Sequence, residues 1–151
     1  MKRVIVFGGS GFLGLYLSDE LINRGYDVTI ADINKPKEKF NFIACDITSE
    51  NDLDKVFSNS FDIVYNLAGF ANLDRANKDP QKTMYLNVIG NLKIIERCRK
   101  YNVNRYIYAS SAYAMSNKGS FYGISKLASE KIIEEYEKNF SLPFNIIRYG
   151  S

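Results

Sequence analysis

The sequence predicts an α/β fold: a doubly wound parallel sheet with helices on both faces. Three observations lead there. Six short apolar runs, rich in β-branched residues, alternate with segments whose apolar residues fall at helical spacing. The first run, Val4-Ile5-Val6-Phe7, breaks directly into Gly8-Gly9-Ser10-Gly11-Phe12-Leu13-Gly14. The chain of 151 residues suits one domain, expected over residues 1–151, and at this size about two-thirds of the unfolded surface is buried.

In order, the first strand is expected over Arg3–Phe7. A helix over Phe12–Arg24 follows, with Phe12, Leu13, Leu17, Leu21 and Ile22 as its apolar stripe and Gly25 as its C-terminal cap. Strands over Asp27–Ala31 and Asn41–Cys45 precede a short helix after Ser49, and a fourth strand covers Asp62–Asn66. Asp79 as N-cap and Pro80 at the first helical position open a long helix that runs to Tyr101. A fifth strand over Arg105–Ser110, a helix over Phe121–Phe140 and a sixth strand over Phe144–Arg148 complete the chain. Strand–helix alternation of this kind builds a parallel sheet by right-handed crossovers. In such Rossmann-type folds, ligands lie across the carboxyl ends of the strands.

Composition narrows the chemistry. A hydrophobic share of 46% and a charged share of 25% are ordinary for a globular protein. No apolar run approaches the length of a membrane span, and no signal-peptide pattern opens the chain, so no membrane partner is expected. The net charge of +3 is spread along the chain and gives no electrostatic case for nucleic acid. Cys45 and Cys98 have neither metal-ligand nor redox-pair spacing, which points to a reducing, cytoplasmic setting. Without any histidine, histidine-based acid–base chemistry and histidine metal sites are excluded, and no metal is expected.

The strand–glycine turn–helix at the N-terminus reads as a cradle for a dinucleotide pyrophosphate, with glycines that serve only a tight turn as the alternative. Gly8, Gly11 and Gly14 let the backbone approach the phosphates, and the N–H groups at Phe12 and Leu13 open the helix toward their charge. Asp32 ends the second strand, 18 positions beyond Gly14, where a carboxylate accepts the ribose hydroxyls and repels a 2′-phosphate. That favours NAD over NADP; Lys35, Lys37 and Lys39 read as a solvated loop. Asp46-Ile47 ends the third strand, where the carboxylate meets an adenine amino group and the isoleucine packs on its ring; a simple helix-approach turn accounts for the pair equally well.

Tyr122 and Lys126 stand four apart on one helix face, where they read either as a surface tyrosine beside a solvated lysine or as a functional pair. An ammonium near a phenol lowers its pKa and makes it a usable base. A serine hydroxyl ending the fifth strand, Ser111 with Ser110 as its alternative, orients the oxygen that such a base deprotonates.

These residues together resemble the extended short-chain dehydrogenases/reductases of the NAD-dependent epimerase/dehydratase type, which act on nucleotide sugars. Gly8, Gly11 and Gly14 match the family's glycine turn, Asp32 its ribose acid and Asp46-Ile47 its adenine contact. Leu67, Ala68 and Gly69 resemble the cofactor-lining segment after the fourth strand, and Asn87 the asparagine of the long helix. Ser111, Tyr122 and Lys126 match the catalytic serine, tyrosine and lysine. The resemblance implies an NAD cofactor, a nucleotide-diphosphate sugar substrate, a Tyr122 base and hydride transfer, with either return of the hydride (an epimerase) or release of the keto-sugar (a dehydrogenase). It also implies a homodimer formed through the two long helices, and a sugar-binding region beyond Ser151, outside this chain. A 4,6-dehydratase fits less well, because no Asp or Glu occurs between Ser111 and Tyr122. A dinucleotide-binding module or redox sensor without chemistry is the competing class.

Overall fold

The computed structural model describes residues 1–150. Six strands, β1 (Arg3–Phe7), β2 (Asp27–Asp32), β3 (Asn41–Ala44), β4 (Ile63–Asn66), β5 (Arg105–Ser111) and β6 (Phe144–Tyr149), form one sheet in the order β3-β2-β1-β4-β5-β6. Every pairing is parallel. The order reverses beside β1, which places the topological switch at the glycine turn.

Side chains alternate across the sheet and divide the core. Ile5 and Phe7 join Leu53, Val56, Ile94, Ile95, Tyr106 and Ile133 on one face, while Val4 and Val6 meet Leu21 and Val28 on the other. The larger face is covered by α2 (Glu50–Phe57), α5 (Asn91–Lys100) and α6 (Ser120–Phe140), and the smaller by α1 (Phe12–Asn23). Gly25, at φ +88°, caps α1: its N–H donates to the Ile22 carbonyl and that of Tyr26 to Leu21, the paired bonds of a Schellman end. Ser49 caps α2 through the Asp52 N–H. Among the described residues, no helix is long and apolar enough to cross a membrane.

The long helix expected over Pro80–Tyr101 is instead composite. A short α4 (Pro80–Met84), N-capped by Asp79 as expected, leads into a π-helical segment, Tyr85–Gly90, and then into α5. A further helix, α3 (Leu73–Lys78), was not expected; Asn72 caps it through the Arg75 N–H. The π segment brings Asn87 inward, 2% exposed, and the Ser129 hydroxyl of α6 donates to its carbonyl at 2.6 Å. Widened turns of this type often sit where a helix serves a site.

Candidate active site

At the carboxyl ends of β1, β4 and β5 lies a cavity of about 600 Å³. Its N-terminal wall is the glycine turn, and each glycine there has its own reason. Gly8 has φ +72°, and a Cβ on it would fall 2.7 Å from the Ala68 nitrogen. A Cβ on Gly14 would fall 2.5 Å from the Gly9 Cα, so α1 can lean on its own entering turn only with glycine there. Gly9, which sequence reasoning passed over, is equally restricted, 2.8 Å from Ile30. Gly11 differs: its Cβ would meet only the Gly8 carbonyl, at 3.5 Å, and would otherwise point into open space. Gly11 is also the N-cap of α1, with no side-chain cap and no acidic residue in the first turn. The helix therefore presents unneutralised N–H groups and its positive end to the cavity, as an anionic diphosphate requires. These features fit a dinucleotide.

Asp32 is the last residue of β2, and its carboxylate accepts from the Ser10 and Asn34 N–H groups, each at 3.1 Å. The two bonds fix it beside the glycine turn and leave further lone pairs for ribose hydroxyls. Leu67 lines the cavity; Ala68 donates its N–H to the buried Asn66 side chain at 3.1 Å, which shapes the turn after β4.

Other expected cofactor residues are also engaged within the protein. Asp46 makes the helix-approach turn: its Oδ1 accepts from the Thr48 N–H and hydroxyl at 2.9 and 2.7 Å, which holds the carboxyl below its usual range. Ile47, 6% exposed, belongs to the core, where it lies so close to Gly90 that a Cβ there would come within 2.6 Å of it. Asn87 is absent from the cavity lining. Its amide accepts from the Phe70 N–H at 2.8 Å and donates to the Phe70 carbonyl and the Ser125 hydroxyl. It leaves no room for a side chain at Gly69, whose φ is +128°. Its amide ties the segment after β4 to α6 as a brace.

Ser111, Tyr122 and Lys126 converge on the opposite wall. Ser111 ends β5, and its hydroxyl accepts from the Tyr113 N–H at 3.2 Å. Ser110, its alternative, donates instead to Glu130 at 2.6 Å and is committed there. The Lys126 ammonium, 6% exposed, donates to the Ala109 carbonyl at 2.9 Å and lies 4.9 Å from the Tyr108 ring centroid. Burial pushes its pKa down to about 8, against the pull of Glu130.

The expectation that Lys126 lowers the Tyr122 pKa is corrected here. Burial pushes the phenol up, with only the neighbouring Ser111 hydroxyl acting in the other direction. The ammonium is 5.7 Å from the Tyr122 ring centroid and is engaged at Ala109, so it does not offset the desolvation. Sequence reasoning also missed Ala71, Tyr113, Ser116 and Tyr149 on the cavity wall. Tyr113 stands edge-on to Tyr122, with ring centroids 6.3 Å apart.

Comparison with known proteins agrees with this geometry. The model of the NAD dependent epimerase/dehydratase family matches residues 4–151. A putative UDP-glucose 4-epimerase of Methanocaldococcus jannaschii is 27% identical over 98% of this chain and 55% of its own length. A crystal structure of the Thermus thermophilus UDP-glucose 4-epimerase in complex with NAD superposes with a TM-score of 0.88 at 26% identity, covering 97% of this chain and 54% of that one. The Thermotoga maritima UDP-glucose 4-epimerase with UDP-glucose gives 0.88 at 27% identity, covering 97% of this chain and 55% of that one. This chain thus spans about half the length of the relatives it matches. A glycine cradle facing a serine, tyrosine and lysine across one cavity, joined to a family match over nearly every residue, leads to one conclusion: the chain belongs to the NAD dependent epimerase/dehydratase family.

Proposed function

We propose that residues 1–151 form a single NAD-binding domain that carries the catalytic groups of a nucleotide-sugar epimerase. The observation that carries this reading is the single cavity with the glycine turn on one wall and Ser111, Tyr122 and Lys126 on the other. Gly8, Gly11 and Gly14 would hold the pyrophosphate, Asp32 the adenosine ribose, and Lys126 the nicotinamide ribose. When bound, NAD supplies the hydride acceptor and a cationic ring that favours a nearby phenolate.

Tyr122 then takes the proton from a sugar hydroxyl at its phenolic oxygen. Ser111 donates to the reacting sugar oxygen and holds it against Tyr122. The residues lining the cavity include no Asp or Glu among the described residues, so no acid is at hand for the proton transfers of an elimination. That supports epimerisation or simple oxidation over dehydration. The exposed apolar stripe of Tyr85, Ile89, Ile124 and Leu127, on the π segment and α6, supports a homodimer formed through these helices.

Incubation with NAD and UDP-glucose, in a chain that also carries the sugar-binding region, tests the reading. The expected result is formation of the C4 epimer, with a trace of reduced nicotinamide on the protein. A chain that binds NAD yet gives neither product would be a binding module instead.

A further inference from the structure

Glu130 has no part in the chemistry above, yet it is 1% exposed. It lies on α6 one turn beyond Lys126, on the same helix face. Its Oε1 accepts from the Ser110 hydroxyl at 2.6 Å and from Arg148 Nε at 2.9 Å, and its Oε2 from Arg148 Nη2 at 2.9 Å. Ser110 and Arg148 are themselves register partners across β5 and β6. One carboxylate therefore fastens two paired strand ends to the helix that carries Tyr122 and Lys126. Ser110 lies between Ala109, whose carbonyl holds the Lys126 ammonium, and Ser111.

We infer that Glu130 is a positioning residue: it clamps the tip of β5 to α6 and so keeps the Ala109 carbonyl on Lys126 and the Ser111 hydroxyl beside Tyr122. The consequence for catalysis rests on the function proposed above; the clamp itself does not. Isolated buried carboxylates are expensive, and removing one partner of a buried, hydrogen-bonded charge is strongly destabilising. Burial by itself would raise the Glu130 carboxyl; Arg148 and Ser110 more than offset this and hold it below the usual carboxylate range.

The clamp also has an electrical side. The groups near Lys126 are Tyr108 from β5 and Tyr122 and Glu130 from α6, with Tyr113 and Tyr149 lining the same cavity and Arg148 behind Glu130. Glu130 is the one carboxylate in that set. Its charge opposes the loss of the Lys126 proton on burial. Without it, Lys126 becomes neutral at a lower pH.

The test has two arms. In the first, the lysine side chains of the ligand-free protein are 13C-labelled and titrated by NMR, with Lys126→Arg assigning the resonance. Glu130→Gln, which keeps the volume and removes the charge, is expected to move the Lys126 midpoint down by about half a pH unit or more. A purely structural glutamate would leave it in place. In the second arm, Ser110→Ala removes only the bond to β5 and spares the Glu130–Arg148 pair; NADH affinity is expected to fall several-fold at constant pH. An unmoved Lys126 midpoint in a folded Glu130→Gln protein, or wild-type NADH affinity in Ser110→Ala, would overturn the inference. Failure of the unaltered protein to bind NADH would count against the proposed function, and the lysine titration would still decide the role of Glu130.

Discussion

Replacing Tyr122 by phenylalanine is expected to lower nucleotide-sugar turnover about 100- to 10,000-fold, the usual weight of a general base, while NAD affinity stays nearly unchanged. The ring carries the packing and the hydroxyl carries the chemistry. Phenylalanine keeps the edge-on contact with Tyr113 and the burial on α6. It loses the oxygen that accepts the sugar proton and that Ser111 approaches. With the ring contacts kept, the variant is expected to fold. The pH profile carries a further expectation. A phenol raised by burial ionises only at alkaline pH, and a Lys126 ammonium with its pKa at about 8 is lost as pH rises beyond that value. Because the phenol lies above the ammonium, the rate rises with pH to a plateau that begins near the Lys126 value and falls only where the phenol itself ionises. Steady-state rates across pH for both proteins measure this. A phenylalanine variant within tenfold of the original rate would remove Tyr122 from the proton transfer.

The second large effect belongs to Gly14. Its substitution by alanine sets a Cβ 2.5 Å from the Gly9 Cα and 2.7 Å from the Gly8 carbonyl oxygen. Both are backbone atoms and cannot rotate away, so the turn must move. Overpacking of this kind costs about 1–3 kcal/mol, and the displaced N–H groups no longer converge on a diphosphate. NAD affinity is expected to fall at least about 100-fold, equivalent to about 2.7 kcal/mol, together with a lower melting temperature. Gly11→Ala is the informative control. Its Cβ meets nothing closer than 3.5 Å, so the protein folds as before, and the new methyl stands only in the cavity. Binding without stability should suffer there, whereas Gly14→Ala loses both. Fluorescence titration with NADH beside thermal melts separates the two.

Much of the fold is legible in the sequence because strand, turn and cap signals are local. Val4 to Phe7, Gly25, Ser49 and Asp79-Pro80 each act within a few residues of themselves, and each stands where its chemistry places it. The π segment is not legible in this way. It is stabilised by Ser125 and Ser129, some forty residues further along the chain, and by the fit of Gly90 against Ile47. The same limit applies at the site. Spacing puts Tyr122 and Lys126 on one helix face, and that is observed. The sense of the Tyr122 shift depends on burial and on where the ammonium is tethered, both properties of the assembled fold. Glu130 reads as one more charge on a solvated helix face until β5 and β6 close over it. Asp46 carries the right residue type beyond a strand end, and its bonds to Thr48 two residues on are as local as the caps.

Thermal unfolding of the 151-residue protein, with and without NAD and NADP, tests the central claim most directly. A ligand at about a hundredfold excess over its Kd adds about 2.7 kcal/mol to the folded state, which raises the melting temperature by about 5–10 °C for a protein of this size. The expected result is one cooperative transition moved upward by NAD and left in place by NADP, because the Asp32 carboxylate beside the glycine turn repels a 2′-phosphate. A transition that neither dinucleotide moves would contradict the account.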